Sequence, residues 1–281
     1  MSYAAKQKLI KALCYAFLGI LLLICIVPVY MILINATRET ADISRTLSLL
    51  PSTYIAHNWQ TLQGTGVNVV RATVNSIFVA GASTFLAVYF SLLTAYAISV
   101  YNFKFKTALY VFILAMNMVP GQLFIIGFFQ YAHMLNLLDS FIPLIVPAIA
   151  SSGAVFFFKQ YFDAALVPEL IQAARIDGAG EFSIFNRIVL PIAKPGAFTM
   201  AIFGFVASWN NFIVPFFLIG PNRFDLHTLP LAISRLNTNV FRQDFGLFYL
   251  GMAISIVPIV IVYALFSKHI VSGISLGSVK E

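Results

Sequence analysis

Residues 168–195 read PELIQAARIDGAGEFSIFNRIVLPIAKP, a polar stretch inside a strongly apolar chain. Pro168 is suited to the first turn of a helix, and Glu169 favours the positive end of the helix dipole. Gly178 and Gly180 predict a left-handed stop at the end of that helix. The stretch is therefore predicted to begin with a short helix that ends at a glycine corner.

A second short helix is predicted from residue 181 to residue 189, with Pro191 and Pro195 ending it and passing the chain to an apolar segment. The larger segment 159–194 carries eight charged residues, whereas its flanks are nearly uncharged. A loop of this length in a compact domain is typically functional. Two short helices joined by a glycine corner predict an element on which another protein docks.

The rest of the chain is poor in charge, since 60% of its 281 residues are hydrophobic and 10% are charged. A bilayer hydrocarbon core about 30 Å thick needs roughly 20 helical residues. Uncharged runs of about this length or more predict an all-α membrane protein with six transmembrane helices. A membrane β-barrel is disfavoured because its strands alternate apolar and polar residues. The runs are residues 12–37, 72–103, 107–138, 140–158, 195–222 and 245–267.

These runs predict four parts of the chain. They are a stub with the first helix (1–35), an extracytoplasmic segment (36–70), a five-helix core containing the loop 159–194 (71–267), and a tail (268–281). Eleven of the 17 Lys and Arg residues fall on the N-terminal side of the membrane, so the positive-inside rule predicts that both termini face the cytoplasm. The first run lacks a small-x-small cleavage site and is predicted to remain as an uncleaved span.

The polar stretch resembles the characteristic cytoplasmic loop of ABC importer permeases, which reads EAA, three residues, G and later I-x-LP. The matching residues are Gln172-Ala173-Ala174, Gly178 and Ile188-Val189-Leu190-Pro191. The IDGA sequence at 176–179 is similar to the carbohydrate-uptake branch of the family, typified by the smaller permease of the maltose transporter. Gln172 replaces the family's glutamate, which keeps hydrogen-bonding capacity but loses the charge.

Further motifs extend the resemblance from about residue 58 to the C-terminus. In chain order they are Asn75-Ser76, Val119-Pro120, Ser208-Trp209-Asn210-Asn211 with Pro215, and Gly277-Ser278-Val279-Lys280. Through these motifs the chain is identified as a member of the binding-protein-dependent transport inner membrane components. The resemblance implies the type I ABC importer permease (MetI-like) fold.

The resemblance also implies that the first short helix sits in a cleft of a cytoplasmic ATPase subunit. Small side chains let a partner approach the backbone closely, and Leu170 and Ile171 offer apolar contact. The predicted ATPase-coupling residues are Glu169, Gln172, Ala173, Ala174, Asp177 and Gly178. For Asp177 we expect a carboxylate that accepts backbone N–H groups at the corner, with ATPase contact as the alternative. For the whole element the alternative is an amphipathic surface helix without a partner.

Polar residues inside the spans are the candidates for a translocation path, because amides and aromatic rings bind hydroxyl-rich sugars. The candidates are Asn117, Gln122, Trp209, Asn210 and Asn211, together with Ser208. The alternative is hydrogen bonding between neighbouring helices. That alternative is favoured for Asn75, Asn210 and Asn211, whereas Asn117 and Gln122 flank Pro120 and are predicted to line a cavity.

A loop and the C-terminal tail are candidate contacts with partner proteins. Residues 222–244 either contact a solute-binding protein, as the family implies, or form a solvated turn; their polar members are Arg223, Asp225, His227, Asn237, Asn239, Arg242 and Asp244. The tail 275–281 resembles a segment that reaches the ATPase interface. Two cysteines and four histidines show no metal-ligand spacing, so no cofactor is expected on this chain. ATP and Mg are expected on partner ATPase subunits.

The sequence thus predicts a non-enzymatic permease subunit of an ATP-driven sugar or oligosaccharide importer in the cytoplasmic membrane. It would work by alternating access with a second permease, two ATPase subunits and an extracytoplasmic solute-binding protein. The spans contain no charged residue for ion coupling, and the chain lacks the GxxxxGK[ST] phosphate loop. An ABC permease for another solute, such as glycerol phosphate, is one alternative, and a self-sufficient carrier or channel is another. The sequence does not name the sugar.

Overall fold

The computed structural model describes residues 3–236 and 244–275, and these residues form an all-α protein. The helices of the first half are α1 (Tyr3–Asn35), α2 (Thr40–Arg45), α3 (Ile55–Gly64), α4 (Val69–Val100), α5 (Lys106–Asn117), a 3₁₀ turn (Gly121–Phe124), α6 (Ile125–Met134) and α7 (Ile142–Ile145). Those of the second half are a 3₁₀ turn (Val146–Ala150), α8 (Ser152–Ala165), α9 (Pro168–Ile176), α10 (Glu181–Ile184), a π turn (Phe185–Val189), α11 (Leu190–Trp209), α12 (Ile213–Leu218), α13 (Leu229–Leu236) and α14 (Phe245–Ser275). The predicted helical class is confirmed.

Within the described residues, five helical segments are long and apolar enough to cross a bilayer. They are Lys6–Asn35, Val69–Val100, Ile142–Ala165, Glu181–Trp209 and Phe245–Phe266. The predicted third span, residues 107–138, is instead two helical pieces bent by 94° at a break around Pro120. Pro120 has extended backbone angles (φ −60°, ψ 123°) and no N–H to donate, so the helix cannot continue through it. The predicted six spans are obtained when this bent pair is counted as one.

The predicted end of the second short helix at Pro191 and Pro195 is wrong. Helix continues without a break from Glu181 to Trp209. The Leu190 N–H donates to the carbonyl of Phe185, five residues back, so one π turn precedes Pro191. A wider turn relieves the clash between a proline ring and the carbonyl four residues earlier, and this explains why the helix persists.

Residues 68–232 and 258–275 belong to one compact unit, in which α4 packs against both α8 and α11. Its buried core extends beyond these long helices. Ile171 of α9 and Ile184 of α10 are each 1% exposed and join the cluster formed around Leu92 and Phe158. The short helices at the corner are therefore anchored in the same core as the spans.

Residues 3–67 and 233–257 belong to a second compact unit. Its centre is Asn58, which is 2% exposed and donates from Nδ2 to the carbonyls of Ala36 (3.0 Å) and Arg38 (3.1 Å). Gly246 of α14 lies against the same backbone. A Cβ atom added at Gly246 would lie only 2.6 Å from the Arg38 carbonyl oxygen. This close approach requires glycine at position 246.

We expect Gly246→Ala to destabilise the protein by about 1–3 kcal/mol, because the added carbon overlaps a backbone oxygen that cannot rotate away. Thermal unfolding in detergent measures the effect. Gly19→Ala is the matched control, since no heavy atom lies within 4 Å of a Cβ at Gly19 in α1. Equal unfolding temperatures for the two variants would contradict the packing described for Gly246.

Candidate functional site

The backbone closes the corner after α9 in a Schellman arrangement. Gly178 has a φ of +80°, its N–H donates to Arg175 O (3.0 Å), and the Ala179 N–H donates to Ala174 O (3.0 Å). The predicted left-handed stop is thus confirmed at Gly178. Gly180 does not contribute to this stop, since its φ of −70° is ordinary extended backbone at the start of α10.

The local role expected for the Asp177 carboxylate is also wrong. Within the described part of the chain this carboxylate accepts no hydrogen bond, and the residue is exposed. The reason is that backbone bonds already satisfy the corner, including the Asp177 N–H, which donates to Ala173 O (3.0 Å). The alternative, contact with a partner, is compatible with this exposed position.

The predicted coupling residues divide between the two faces of α9. Glu169, Gln172 and Ala173 are exposed, as are Asp177 and Gly178 at the corner. Ala174 is only 9% exposed and packs inward beside Ile171. The expectation that Ile171 offers a partner apolar contact is therefore wrong, because its side chain is committed to the core.

Two exposed apolar side chains at the corner, Ile176 and Phe182, were not identified from the sequence, whereas Leu170 was, and its side chain is exposed as expected. Ile176 is 86% exposed, Phe182 is 71% exposed, and Leu170 is 43% exposed. Ile176 lies two residues after buried Ala174 and five after buried Ile171, so it is on the opposite side of α9, but the sequence alone did not show which side of the helix is buried. We call Glu169, Leu170, Gln172, Ala173, Ile176, Asp177, Gly178 and Phe182 the corner face.

A charged cluster, also missed from the sequence, ties the corner to α4. Arg175 Nε donates to Glu181 Oε1 (2.6 Å), and Tyr96 Oη donates to Glu181 Oε2 (2.9 Å). The Arg175 guanidinium lies over the Tyr101 ring, 5.4 Å from its centroid. The hydrogen bond to Glu181 raises the pKa of Arg175 above its ordinary value. The available signal was a pair of opposite charges on either side of the glycine corner.

A cavity of about 390 Å³ lies beside α9 and is bordered by the ends of α4 and α8. Gln172 and Arg175 line it together with Asp163 and Ser99. These polar groups lie opposite apolar lining residues, among them Phe162 and Ile171 of the core. Gln172, the residue that departs from the EAA pattern, therefore faces polar surroundings in which an amide can form hydrogen bonds.

The Asn117 side chain both forms hydrogen bonds in the helix packing and lines a cavity. Its Nδ2 donates to Ile113 O (3.1 Å), and its Oδ1 accepts from Ser152 Oγ (2.9 Å), which joins α5 to α8. The same side chain lines a cavity of about 610 Å³. Gln122 is exposed at the bend after Pro120 and does not line that cavity. The structure thus separates two residues that the sequence had grouped together.

The remaining path candidates are also dispersed. Trp209 is 1% exposed and stacks on Phe205 at 5.9 Å, which makes it a packing residue, whereas Asn210 is exposed. Asn211 accepts from the Val214 N–H at the start of α12 (3.3 Å) and lines a second cavity of about 450 Å³. Ser208, a candidate named from the sequence, also lines this second cavity, together with three hydroxyl-bearing residues that were missed from the sequence, namely Ser83, Thr84 and Ser151.

Asn75 has a structural role, although its partners lie in a loop and not on a neighbouring helix: its Nδ2 donates to the carbonyls of Asp225 and His227 (both 3.0 Å). In the same loop, Arg223 forms a salt bridge with Asp225 (3.0 Å). The other loop candidates, Asn237, Asn239 and Arg242, lie outside the described residues, as does the tail motif at 277–280. Among residues 3–236 and 244–275, no three His, Cys, Asp or Glu side chains are grouped to bind a metal.

The sequence matches the family described as binding-protein-dependent transport system inner membrane component over residues 87–276, which include the corner face. The chain belongs to this family. It is therefore an inner membrane permease component of a binding-protein-dependent transport system, and the resemblance inferred from the EAA-like loop is confirmed.

Similar proteins match along nearly the whole permease. Arabinooligosaccharides transport system permease protein AraQ of Bacillus subtilis (strain 168) is 31% identical over 267 residues, which are 94% of each chain. The sn-glycerol-3-phosphate transport system permease protein UgpE of Yersinia pestis bv. Antiqua (strain Antiqua) is 28% identical, covering 93% of this chain and 94% of UgpE.

A solved structure supports the fold. The crystal structure of a bacterial ABC transporter involved in the import of the acidic polysaccharide alginate contains a chain that matches with a TM-score of 0.81. The two chains are 18% identical, and the match covers 95% of this permease and 99% of that chain. The predicted ABC importer permease fold is confirmed.

We expect Gly178→Ala to destabilise the corner by about 1–2 kcal/mol, because an L side chain is strained at a φ of +80°. Hydrogen exchange of the amides in residues 168–189 should accelerate, since opening the corner becomes easier. Gly180→Ala is the control, as its φ is negative and a Cβ there meets no heavy atom within 4 Å. Equal exchange in both variants would contradict the assignment of the corner to Gly178.

Proposed function

We propose that this permease moves a sugar or oligosaccharide across the cytoplasmic membrane by alternating access, driven by separate ATPase subunits. The observation that carries the proposal is the corner face, which leaves small, apolar and polar side chains exposed while the inner side of α9 is buried in the core. Because α9 is packed in the same core as the spans, a displacement of α9 by a partner also displaces the spans.

The charged cluster supports this transmission. Arg175 at the end of α9 is bonded to Glu181 at the start of the α10–α11 helix, and Glu181 is bonded to Tyr96 of α4. A displacement of α9 therefore reaches two spans through directed contacts as well as through apolar packing. The chain contains no GxxxxGK[ST] phosphate loop, so ATP binding and hydrolysis belong to partner subunits and the permease is not itself an enzyme.

The proposed assembly contains this permease, a second permease, two ATPase subunits with ATP and Mg, and an extracytoplasmic solute-binding protein. Both termini face the cytoplasm. This orientation follows from the excess of Lys and Arg on the N-terminal side and places the corner face where ATPase subunits lie. Loop 222–244 then lies outside, where it contacts the binding protein.

A sugar is favoured as cargo by the similarity to AraQ, an arabinooligosaccharide permease by name. The cavity beside Asn117 is lined mainly by apolar side chains, with an amide, two hydroxyls and two aromatic rings among them, and by no Lys or Arg of the described residues. These groups suit an uncharged, hydroxyl-rich solute. Glycerol phosphate is the second candidate because of the similarity to UgpE. Comparing ATP-dependent uptake of arabino-oligosaccharide and sn-glycerol 3-phosphate in proteoliposomes of the complex separates the two.

We expect Phe182→Asp to abolish copurification of the ATPase subunits and ATP-driven uptake, because a carboxylate would replace an exposed ring of the docking face. Phe105→Asp is the matched control, as Phe105 is 68% exposed in the loop before α5. That variant should retain the ATPase. Retention by both variants would overturn the docking surface, and uptake by the permease alone in liposomes would favour a self-sufficient carrier.

The role of Asn117 is tested with a pair of variants. Asn117→Ala removes both the amide that lines the cavity and the bond to α8, whereas Ser152→Ala removes that bond and one lining hydroxyl but keeps the amide. We expect Asn117→Ala to raise the KM for uptake about tenfold, corresponding to roughly 1.4 kcal/mol of lost binding, and Ser152→Ala to leave it nearly unchanged. Equal effects would assign Asn117 to helix packing.

A further inference from the structure

The loop between α2 and α3 exposes three leucines in an otherwise polar segment. Leu47 is 82% exposed, Leu49 is 58% exposed and Leu50 is 75% exposed. An apolar cluster of this kind is unfavourable in water and marks a surface that contacts a membrane or another molecule. We call residues 46–52 the leucine loop.

Hydrogen bonds fix both ends of the leucine loop to the residues that follow α1. The Arg38 guanidinium is buried, and its Nη2 donates to Thr46 O (3.0 Å) and Thr46 Oγ1 (2.8 Å). At the other end, the Ser52 N–H donates to Thr37 Oγ1 (2.8 Å). These contacts hold the loop, so the exposure of its leucines is a defined feature of the fold.

A third hydrogen bond sets the depth of the loop along α1. Tyr30 Oη donates to Leu49 O (2.6 Å), which places the loop backbone beside Tyr30. Lys11 is the last charged residue before the apolar part of α1, and Tyr30 follows it at a distance of about 28 Å at 1.5 Å per residue. The hydrocarbon core is about 30 Å thick, so Tyr30 lies near its far boundary.

The side chains near Tyr30 and the leucine loop are those typical of a membrane interface. Val29 and Leu33 of α1 are 40% and 45% exposed, so the apolar surface of the span continues past the loop. Arg45, which is exposed, immediately precedes the loop. A tyrosine and an arginine beside an apolar cluster form the pattern of residues found at the membrane interface.

We propose that the leucine loop inserts Leu47, Leu49 and Leu50 among the acyl chains of the leaflet farther from the N-terminus, with Arg45 at the phosphate headgroups. In the proposed topology this is the outer leaflet. The loop thereby fixes the depth of α1 and attaches residues 36–67 to the membrane surface. An anchor of this kind limits vertical sliding of a long single helix, whose apolar length exceeds the bilayer thickness.

Depth-dependent quenching tests the proposal on the full chain. Cys14 and Cys25 are exposed in α1 and are first replaced by serine. A bimane probe is then attached to Leu50→Cys or, as the matched control, to Ser44→Cys on the polar α2. Both variants are reconstituted with the partner subunits in phosphatidylethanolamine and phosphatidylglycerol vesicles. The quenchers are aqueous iodide and lipids brominated near the carbonyl end of the acyl chain.

The leucine loop should lie about 5–10 Å below the headgroup boundary, so brominated lipids should quench roughly half or more of the Leu50→Cys probe fluorescence. Iodide should quench the Ser44→Cys probe preferentially. Equal iodide quenching at both positions, with no effect of brominated lipid, would overturn the proposal. Quenching by brominated lipid only when the partner subunits are absent would also overturn it, because a protein would then cover the loop.

Discussion

The burial of one side of α9 and α10 in the core shared by α4, α8 and α11 is the constraint on which the corner depends. Ile171 and Ile184 supply this burial, and each is 1% exposed. Without it, a nine-residue helix would be marginal in water. Because of this burial, the exposed face of α9 has one orientation, and the glycine corner fixes the direction in which α10 follows α9.

The polar contacts at the corner fix the position of α9 relative to α4 and to the helix that follows. The pair Arg175–Glu181 is partly exposed, so solvent screens it and its contribution to stability is small. Its importance is geometric, because Tyr96 binds the second carboxylate oxygen of Glu181. Glu181 therefore joins α9, the following span and α4 at one point. Apolar contacts alone would let these helices slide past one another there.

Much of this could be predicted from residue order. The Pro168 start and the Gly178 stop of α9 follow from local backbone preferences, and both were found in the structure. Position 191 shows the limit of such reasoning. Proline predicts a helix end, but a single π turn before it, ending at Val189, lets the helix continue. Residue order near position 191 does not predict that turn, whose first and last residues, Phe185 and Val189, are buried in the core.

The sequence by itself determined the helical class, the membrane location and the family, because these follow from uncharged length and from motifs in a fixed order. Only the tertiary structure decided which side chains of those motifs are available. Ala173 and Ala174 are neighbours in one motif, yet Ala173 is exposed and Ala174 is buried. Likewise Asn117 lines a cavity whereas Trp209 lies in the packing. Availability depends on which face of a helix meets the core, and distant parts of the chain supply that core.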